Sequence, residues 1–153
     1  MKIFKILALS SMILIGNGCN AQTGEGDKAI SMLKEFYIAH SFIWSIPPSS
    51  ISPNDFDKKL DSLTGKYCTP QLRKEAKEYL QDGHDLLTDD WGISKESLTS
   101  MKITKESTQE NTYVVSYIVD SYPVAPDKPV KKQVTLHVTV VKEGEIYSIA
   151  SVK

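Results

Sequence analysis

Two stretches of alternating side chains decide the fold. Residues 113–119 read YVVSYIV, and residues 134–140 read VTLHVTV. In both stretches a valine, leucine or tyrosine stands at every second position. A period of two is typical of a strand with one buried face, because successive side chains in a strand point to opposite sides. We therefore predict two strands here, with Leu136 and Val138 facing the core.

The same pattern extends the sheet to four strands. Residues 146–152 alternate in the same way. The links at residues 109–111 and 142–145 are short and polar, and Gly144 in the second can adopt the positive φ that a hairpin turn requires. A strand before these three is indicated by Leu98, Met101 and Ile103. The C-terminal half is therefore predicted to be an antiparallel four-stranded meander.

Three helices are predicted ahead of the strands. The first extends from Lys28 to about Phe42, with apolar residues such as Leu33 and Phe36 at helical spacing. Helices followed by a meander indicate an α+β fold in which the helices pack on the sheet. The second and third helices each begin with a capping residue before a proline and end at a glycine, which gives the pairs Ser52 and Gly65, and Thr69 and Gly83.

The N-terminus resembles a bacterial lipoprotein signal. Two lysines precede the run ILALSSMILI at residues 6–15, which has the length of a signal-peptide apolar region and is too short to span a bilayer. Small residues then lead to Cys19, as in a lipobox, although Asn17 departs from that pattern. We predict a signal peptide over residues 1–18 and diacylation of Cys19.

This signal implies a protein held by lipid at the bacterial cell envelope, on the periplasmic face or at the surface, with the membrane as its first partner. Residues 19–26 are predicted to be the lipid attachment site and a short flexible tether, and residues 27–153 a single domain. Two alternatives stay open. One is secretion to the periplasm after cleavage behind Ala21, and the other is an uncleaved anchor.

The composition of the 153-residue chain is that of an ordinary globular protein. Eighteen basic and nineteen acidic residues leave a formal net charge of -1. The basic groove with stacking aromatics that single-strand binders use is missing, so no nucleic-acid partner is predicted.

The two cysteines of the chain limit the possible disulfide and thiol chemistry. With Cys19 lipidated or discarded, Cys68 is the only thiol of the mature chain, and an intramolecular disulfide is excluded. A lone cysteine beside apolar residues is usually a small buried hydrophobe, which is the interpretation we favour. As a nucleophile Cys68 would need a nearby base such as His40, His84 or His137.

Five short motifs form a recognisable set. They are Ala29-Ile30 with Leu33, Phe36 and Tyr37, then Tyr67-Cys68-Thr69, Asp89-Asp90-Trp91, Tyr113-Val114-Val115-Ser116-Tyr117 and Val140-Val141-Lys142-Glu143-Gly144. Together they resemble the bacterial envelope family called domain of unknown function 3828, over most of residues 27–153. The resemblance implies a short lipoprotein or secreted protein with no catalytic residues carried over, and we predict no cofactor. It also implies a fold similar to the cone-shaped nuclear transport factor 2-like architecture, in which helices close over a curved antiparallel four-stranded sheet.

A cone-shaped fold usually has a pocket between its first helix and the concave face of its sheet. The candidate ligand-binding residues for that pocket carry a ring with a polar tip, which suits a small ligand: Tyr37, His40, Trp44, Tyr67, Tyr117 and His137. The same residues are equally the normal lining of a core whose polar tips reach water, and we favour that interpretation. An isomerase-type site would need a buried carboxylate, and no inward strand position predicted here is acidic.

The densest polar cluster follows the third predicted helix. Its spacing is not that of a calcium loop, which alternates acids and closes with a glutamate. Gly83 and Gly92 predict turns at both ends, while Leu87 and Trp91 offer apolar anchors. We therefore predict a structural segment whose acids point to water, without a metal site. The cluster consists of Asp82, His84, Asp85, Asp89 and Asp90.

These observations favour a non-catalytic envelope lipoprotein that binds a small apolar ligand or an envelope protein, with inhibitor and immunity proteins as one possible subclass. The sequence has no phosphate-binding loop, dinucleotide fingerprint, nucleophile elbow or zinc-protease motif. One alternative is a cone-fold enzyme that acts on a small hydrophobic substrate. Another is a purely structural envelope component.

The lipidation hypothesis is tested by Cys19→Ala. Because the diacyl group would be the only strong anchor, the variant should leave the membrane fraction while the wild type stays in it. Detergent phase partitioning of the two proteins measures this directly. Identical partitioning of wild type and variant would contradict lipidation.

Overall fold

The computed structural model describes residues 23–89, 92–121 and 129–153. The predicted signal peptide and Cys19 lie outside the described residues, as do Asp90 and Trp91.

The described chain is an α+β fold, as predicted, in which helices pack against one antiparallel sheet of four strands. The sheet is open, and its strands follow one another in chain order. The helices are α1 (Thr23–Trp44), α2 (Pro53–Tyr67), α3 (Pro70–Gln81) and α4 (Lys95–Ser100), with a 3-10 turn at Pro48–Ser50. The strands are β1 (Lys102–Lys105), β2 (Thr112–Ser121), β3 (Val130–Glu143) and β4 (Ile146–Val152).

Helices α2 and α3 begin where the capping signals predict. The side chain of Ser52 accepts a hydrogen bond from the backbone N–H of Asp55, and Thr69 accepts one from Leu72. These bonds satisfy donors that a helix N-terminus otherwise leaves unpaired. The junction between the two helices is fixed to the sheet, because the backbone N–H of Thr69 donates to the carbonyl of Ile149 in β4 at 2.9 Å.

Two helix ends differ from the prediction. Helix α2 does not stop at Gly65 but continues to Tyr67, because Leu63 and Tyr67 are buried side chains that hold the last turn against the core. Helix α1 begins at Thr23 and not at Lys28. Four residues of the predicted tether are therefore helical, which is consistent with the low cost of extending a helix that is already packed.

The expected strand at Leu98 is a helix instead. Leu98 lies in α4, whose N-terminus is capped by the side chain of Ser94, which accepts a hydrogen bond from the Ser97 N–H at 3.1 Å. Met101 ends that helix, and Ile103 alone of the three expected residues lies in β1. The local cap outcompetes a strand pattern that only three apolar residues supported.

The core lies between helices α1, α2 and α3 and the inner face of the sheet. Tyr113, Val115 and Tyr117 of β2 are buried on that face, paired in register with Val138, Leu136 and Val134 of β3. The predicted burial of Leu33, Phe36, Leu136 and Val138 is confirmed. Between the inward residues of β3, Thr135 and His137 are exposed on the opposite face.

Turn residues adopt the conformations that the sequence predicts. Gly144 has a φ of 61° in the hairpin between β3 and β4, while Gly83 and Gly92 have φ values of 81° and 105°. Gly92 also lies so close to Trp44 that a β-carbon there would approach the indole to 2.6 Å. A side chain at Gly92 would therefore be both strained and obstructed.

Leu136→Ala should lower the free energy of unfolding by about 2–5 kcal/mol, because it opens a cavity in the centre of the core. The neighbouring exposed residue supplies a matched control, and Thr135→Ala should change stability by less than about 0.5 kcal/mol. Urea unfolding of both variants measures the difference. Equal effects would mean that the register of β3 is shifted by one residue.

Candidate functional site

A cleft of about 430 Å³ opens between α2 and α3. Its floor is formed by residues from two other parts of the chain, His40 of α1 and the segment after α3 that contains Asp85 and Leu87. The remaining lining residues come from α2 and α3 themselves and are Asn54, Asp57, Lys58, Leu60, Asp61, Thr64, Arg73, Ala76, Lys77, Leu80 and Gln81.

The floor holds a buried pair of ionisable side chains. His40 Nε2 lies 2.8 Å from Asp85 Oδ2, and the two side chains are only 1% and 7% exposed. Burying a carboxylate is expensive unless its oxygens find donors. The Asp85 carboxylate has three: the backbone N–H of Leu87 at 2.9 Å, the hydroxyl of Thr88 at 3.1 Å, and His40.

The prediction that the acids of this segment point to water is therefore wrong for Asp85. The neighbouring acids Asp82 and Asp89 are exposed, in agreement with the prediction. Asp85 differs because its carboxylate accepts a hydrogen bond from the backbone N–H two residues ahead and so closes a local turn. Aspartate favours this geometry. The turn then presents the second oxygen to α1, where His40 replaces the lost water.

The position of the His40 ring proton follows from whether each neighbour of Nε2 is a hydrogen-bond donor or an acceptor. Nε2 also lies 3.2 Å from the indole nitrogen of Trp44, which is only a donor. A single ring nitrogen cannot accept from Trp44 and donate to Asp85 at once. The shorter contact to a carboxylate is the stronger one, so we assign the Nε2 proton to the bond with Asp85. His40 Nδ1 is buried and has no hydrogen-bond partner among the described residues.

Two buried tyrosines bind the backbone of the same segment. The hydroxyl of Tyr37 donates to the carbonyl of Leu87 at 3.3 Å, and that of Tyr117 donates to the carbonyl of Thr88 at 2.7 Å. Residues 85–88 are thus tied to α1 and to β2. Burial, with the charges of Tyr117 and Asp85 as smaller causes, raises the pKa of Tyr37 well above its ordinary range, so its hydroxyl stays protonated as a donor.

Cys68 lies in the same electrostatic environment. Burial, followed by the nearby negative charge of Asp85, raises the pKa of its thiol to about 12. The contribution of the protonated thiol to stability is complete below the ordinary pKa of 9.0 and is lost as the pH rises toward 12. A thiol that is protonated at neutral pH is a poor nucleophile, which supports the interpretation of Cys68 as a small buried hydrophobe.

The rim of the cleft carries both signs of charge. Arg73 of α3 donates through Nε and an Nη to the two carboxylate oxygens of Asp61 in α2, at 2.9 and 2.6 Å. This hydrogen-bonded pair raises the pKa of Arg73 and lowers that of Asp61. Lys58 and Lys77 stand beside it on the two helices. The bidentate pair spans the gap between α2 and α3 and defines one wall of the cleft.

The structure does not bring the six predicted ligand-binding residues into one site. Of the six, only His40 lines the α2–α3 cleft. Tyr37 and Tyr117 lie beneath the segment that contains Asp85. Trp44 packs edge-on against Phe56, with ring centroids 5.3 Å apart.

The other two lie apart from the cleft and from each other. The hydroxyl of Tyr67 donates to Glu35 Oε2 at 3.3 Å, between α2 and α1. His137 faces away from the core and lies 3.1 Å from Glu106. The period of two in β3 already places His137 opposite to Leu136 and Val138, so this signal was present in the sequence. The partnership of Asp85 with His40 has no signal in the sequence, because the two residues are 45 positions apart and on different elements.

Within the described ranges, no three His, Cys, Asp or Glu side chains converge closely enough to hold a metal ion. No helix in the same residues combines the length and the apolar character needed to cross a bilayer.

The similarity of this chain to known proteins shows its fold but not its activity. No protein-family model matches the chain, and no curated protein matches it either. The chain is similar to a crystal structure of a protein of unknown function from Bacteroides thetaiotaomicron, with a TM-score of 0.67 and 18% sequence identity. The match covers 84% of this chain and 91% of that one. At this identity the likeness shows a shared α+β fold and nothing about activity.

Asp85→Ala should lower the free energy of unfolding by about 3–5 kcal/mol, because it removes one partner of a buried pair and leaves the other without compensation. Asp82→Ala is the control, since Asp82 is exposed in the same segment and its replacement should cost less than about 0.5 kcal/mol. Denaturant unfolding compares the two. If Asp85→Ala behaved like the control, the pair with His40 would not hold this segment in solution.

Proposed function

We propose that this protein is a lipid-anchored bacterial envelope protein whose single domain binds a small ligand in the α2–α3 cleft without transforming it. The observation that carries the binding proposal is the cleft itself. A volume of about 430 Å³ is within the range of small-molecule sites in proteins, which is about 300–1,000 Å³.

The lining indicates the kind of ligand. Apolar side chains of Leu60, Ala76, Leu80 and Leu87 contribute to the cleft, while charged groups of both signs stand at its rim. These apolar lining side chains favour burial of an apolar body, and charges near the opening favour a polar or charged end that stays in contact with water. The proposed ligand is therefore small and amphipathic.

Three features support binding over catalysis. On the cleft floor both oxygens of Asp85 are already engaged and His40 Nδ1 is buried, while the thiol of Cys68, which does not line the cleft, is held protonated. A general base must come within hydrogen-bond distance of the proton that it removes. In this arrangement neither Asp85 nor His40 offers an accessible basic atom to a ligand in the cleft.

The proposed location rests on the sequence. The charged start, the short apolar run and the cysteine at position 19 are the features of a lipoprotein signal. Membership of the envelope family that the motifs resemble is part of the same proposal. The ligand can instead belong to an envelope protein, as in inhibitor and immunity proteins. In that version of the binding hypothesis, the cleft receives a side chain or loop of the partner.

An enzyme is the second candidate, and one observation favours it. A carboxylate bonded to one nitrogen of a buried imidazole leaves the other nitrogen as the basic atom, and His40 has this arrangement on the cleft floor. Catalysis would require a motion that exposes Nδ1. A compound recovered chemically unchanged after incubation with the protein favours the binding module, whereas conversion that is abolished by His40→Gln favours the enzyme.

Binding in the cleft is tested with the dye 8-anilinonaphthalene-1-sulfonate, which has an apolar body and an anionic end. Ala76→Phe should weaken its binding at least about tenfold, equivalent to about 1.4 kcal/mol, because the larger side chain fills the apolar part of the cleft. Lys77→Glu should also weaken binding, since it places a negative charge at the rim.

The matched control is Lys74→Glu on the same helix, because Lys74 does not line the cleft and should leave dye affinity unchanged. Circular dichroism melting confirms that each variant is folded. Wild-type affinity in Ala76→Phe would show that the dye binds elsewhere and would remove the support for this cleft.

A further inference from the structure

Helix α1 presents an apolar pair to solvent. Ile38 and Phe42 are 57% and 63% exposed, although both are large hydrophobic side chains. They are four residues apart and therefore neighbours on one side of the helix. Exposed Ser31 and Lys34 extend the same line toward the N-terminus at steps of three and four residues. We call these four residues the outer stripe of α1.

The other sides of α1 are packed into the core. Leu33, Phe36, Tyr37, His40 and Ile43 are buried on its other sides. The helix therefore cannot rotate its outer stripe inward without exposing a larger apolar surface. Among the described residues, nothing covers Ile38 and Phe42, as their exposures show.

The charges beside the stripe have both signs. Lys34 is an exposed member of the stripe, and Glu35 next to it is exposed as well. The Tyr67 hydroxyl accepts from the Lys66 ammonium group at 2.9 Å and donates to Glu35, so this carboxylate is engaged in a contact between α1 and α2. Large apolar residues next to a lysine on the exposed side of a helix are typical of a helix that lies in a bilayer interface.

Chain length connects this stripe to a membrane. Four peptide units separate Cys19 from Thr23, the first residue of α1. A fully extended chain covers at most about 3.6 Å per residue, so α1 begins within about 14 Å of the lipidated residue. With a rise of 1.5 Å per residue, Phe42 lies about 28 Å further along the axis. Only a helix that lies along the leaflet brings the apolar pair to the lipid.

We propose that the outer stripe of α1 rests on the leaflet that holds the Cys19 lipid, with Ile38 and Phe42 in the headgroup region. The proposal depends on the lipid anchoring proposed above. It orients the domain, because α1 then lies parallel to the membrane and the sheet face opposite to the helices points away from it.

The test uses the full lipidated chain in vesicles of phosphatidylethanolamine and phosphatidylglycerol that contain a nitroxide-labelled lipid. A fluorophore is attached through Ile38→Cys or Phe42→Cys, while Cys68 is buried and stays unlabelled. The control is Ile118→Cys, an exposed position of β2 on the face opposite to the buried Val115 and Tyr117. The labels on α1 should be quenched severalfold more strongly than the label at position 118.

The outcomes separate the two proposals. Vesicle flotation with selective quenching at positions 38 and 42 supports the orientation. Flotation with equal, weak quenching at all three positions overturns the orientation and leaves the lipid anchor intact. A third outcome is flotation in which the α1 labels are shielded from water but are not quenched by the lipid nitroxide. It would assign the stripe to a second copy of the chain or to another protein, and it also overturns the membrane orientation. A lipid-processed chain that does not float refutes the anchoring and the orientation together.

Discussion

The bond between His40 and the Asp85 carboxylate is the interaction on which the arrangement of this domain depends. The Asp85 carboxylate is only 7% exposed, and its burial is tolerated because backbone, hydroxyl and imidazole donors replace the water that it loses. Its two oxygens have different tasks. Oδ1 accepts from the backbone of Leu87 in the turn that follows α3, while Oδ2 accepts from Thr88 in the same turn and also bonds His40 of α1. The segment that contains Asp85 is then in place to accept the tyrosine hydroxyls of α1 and β2.

The α2–α3 cleft is a consequence of this attachment. Helices α2 and α3 are joined at their rim by Asp61 and Arg73 and are fixed to β4 through Thr69. They would enclose only a groove open at its base if the segment after α3 were elsewhere. Asp85 and Leu87 supply the base of that groove, so the same bond that stabilises the fold also gives the cleft its floor.

The two proposed surfaces lie on different parts of the molecule. The cleft is lined mainly by α2 and α3, whereas the outer stripe is on the solvent side of α1. A domain that rests on a membrane through α1 keeps the rim of the cleft free of the helix that contacts lipid.

Periodicity predicted the sheet well, and for a clear physical reason. Alternation along β2 and β3 reports which side chains face the core, and the burial of Val115, Leu136 and Val138 follows from it. The same rule places His137 outside, yet its ring chemistry had suggested a pocket residue. At Leu98 the local cap from Ser94 decided for a helix, because one well-placed hydrogen bond outweighs a weak strand pattern.

By itself, the sequence determined the fold class, the inner face of the sheet, the helix starts at Ser52 and Thr69, and the turns at Gly83, Gly92 and Gly144. Each of these depends on residues close together in the chain. Tertiary structure alone decided that Asp85 is buried and that His40 is its partner. Their 45-residue separation leaves no local pattern, and the bond exists only after α1 and the turn behind α3 have packed on the same core.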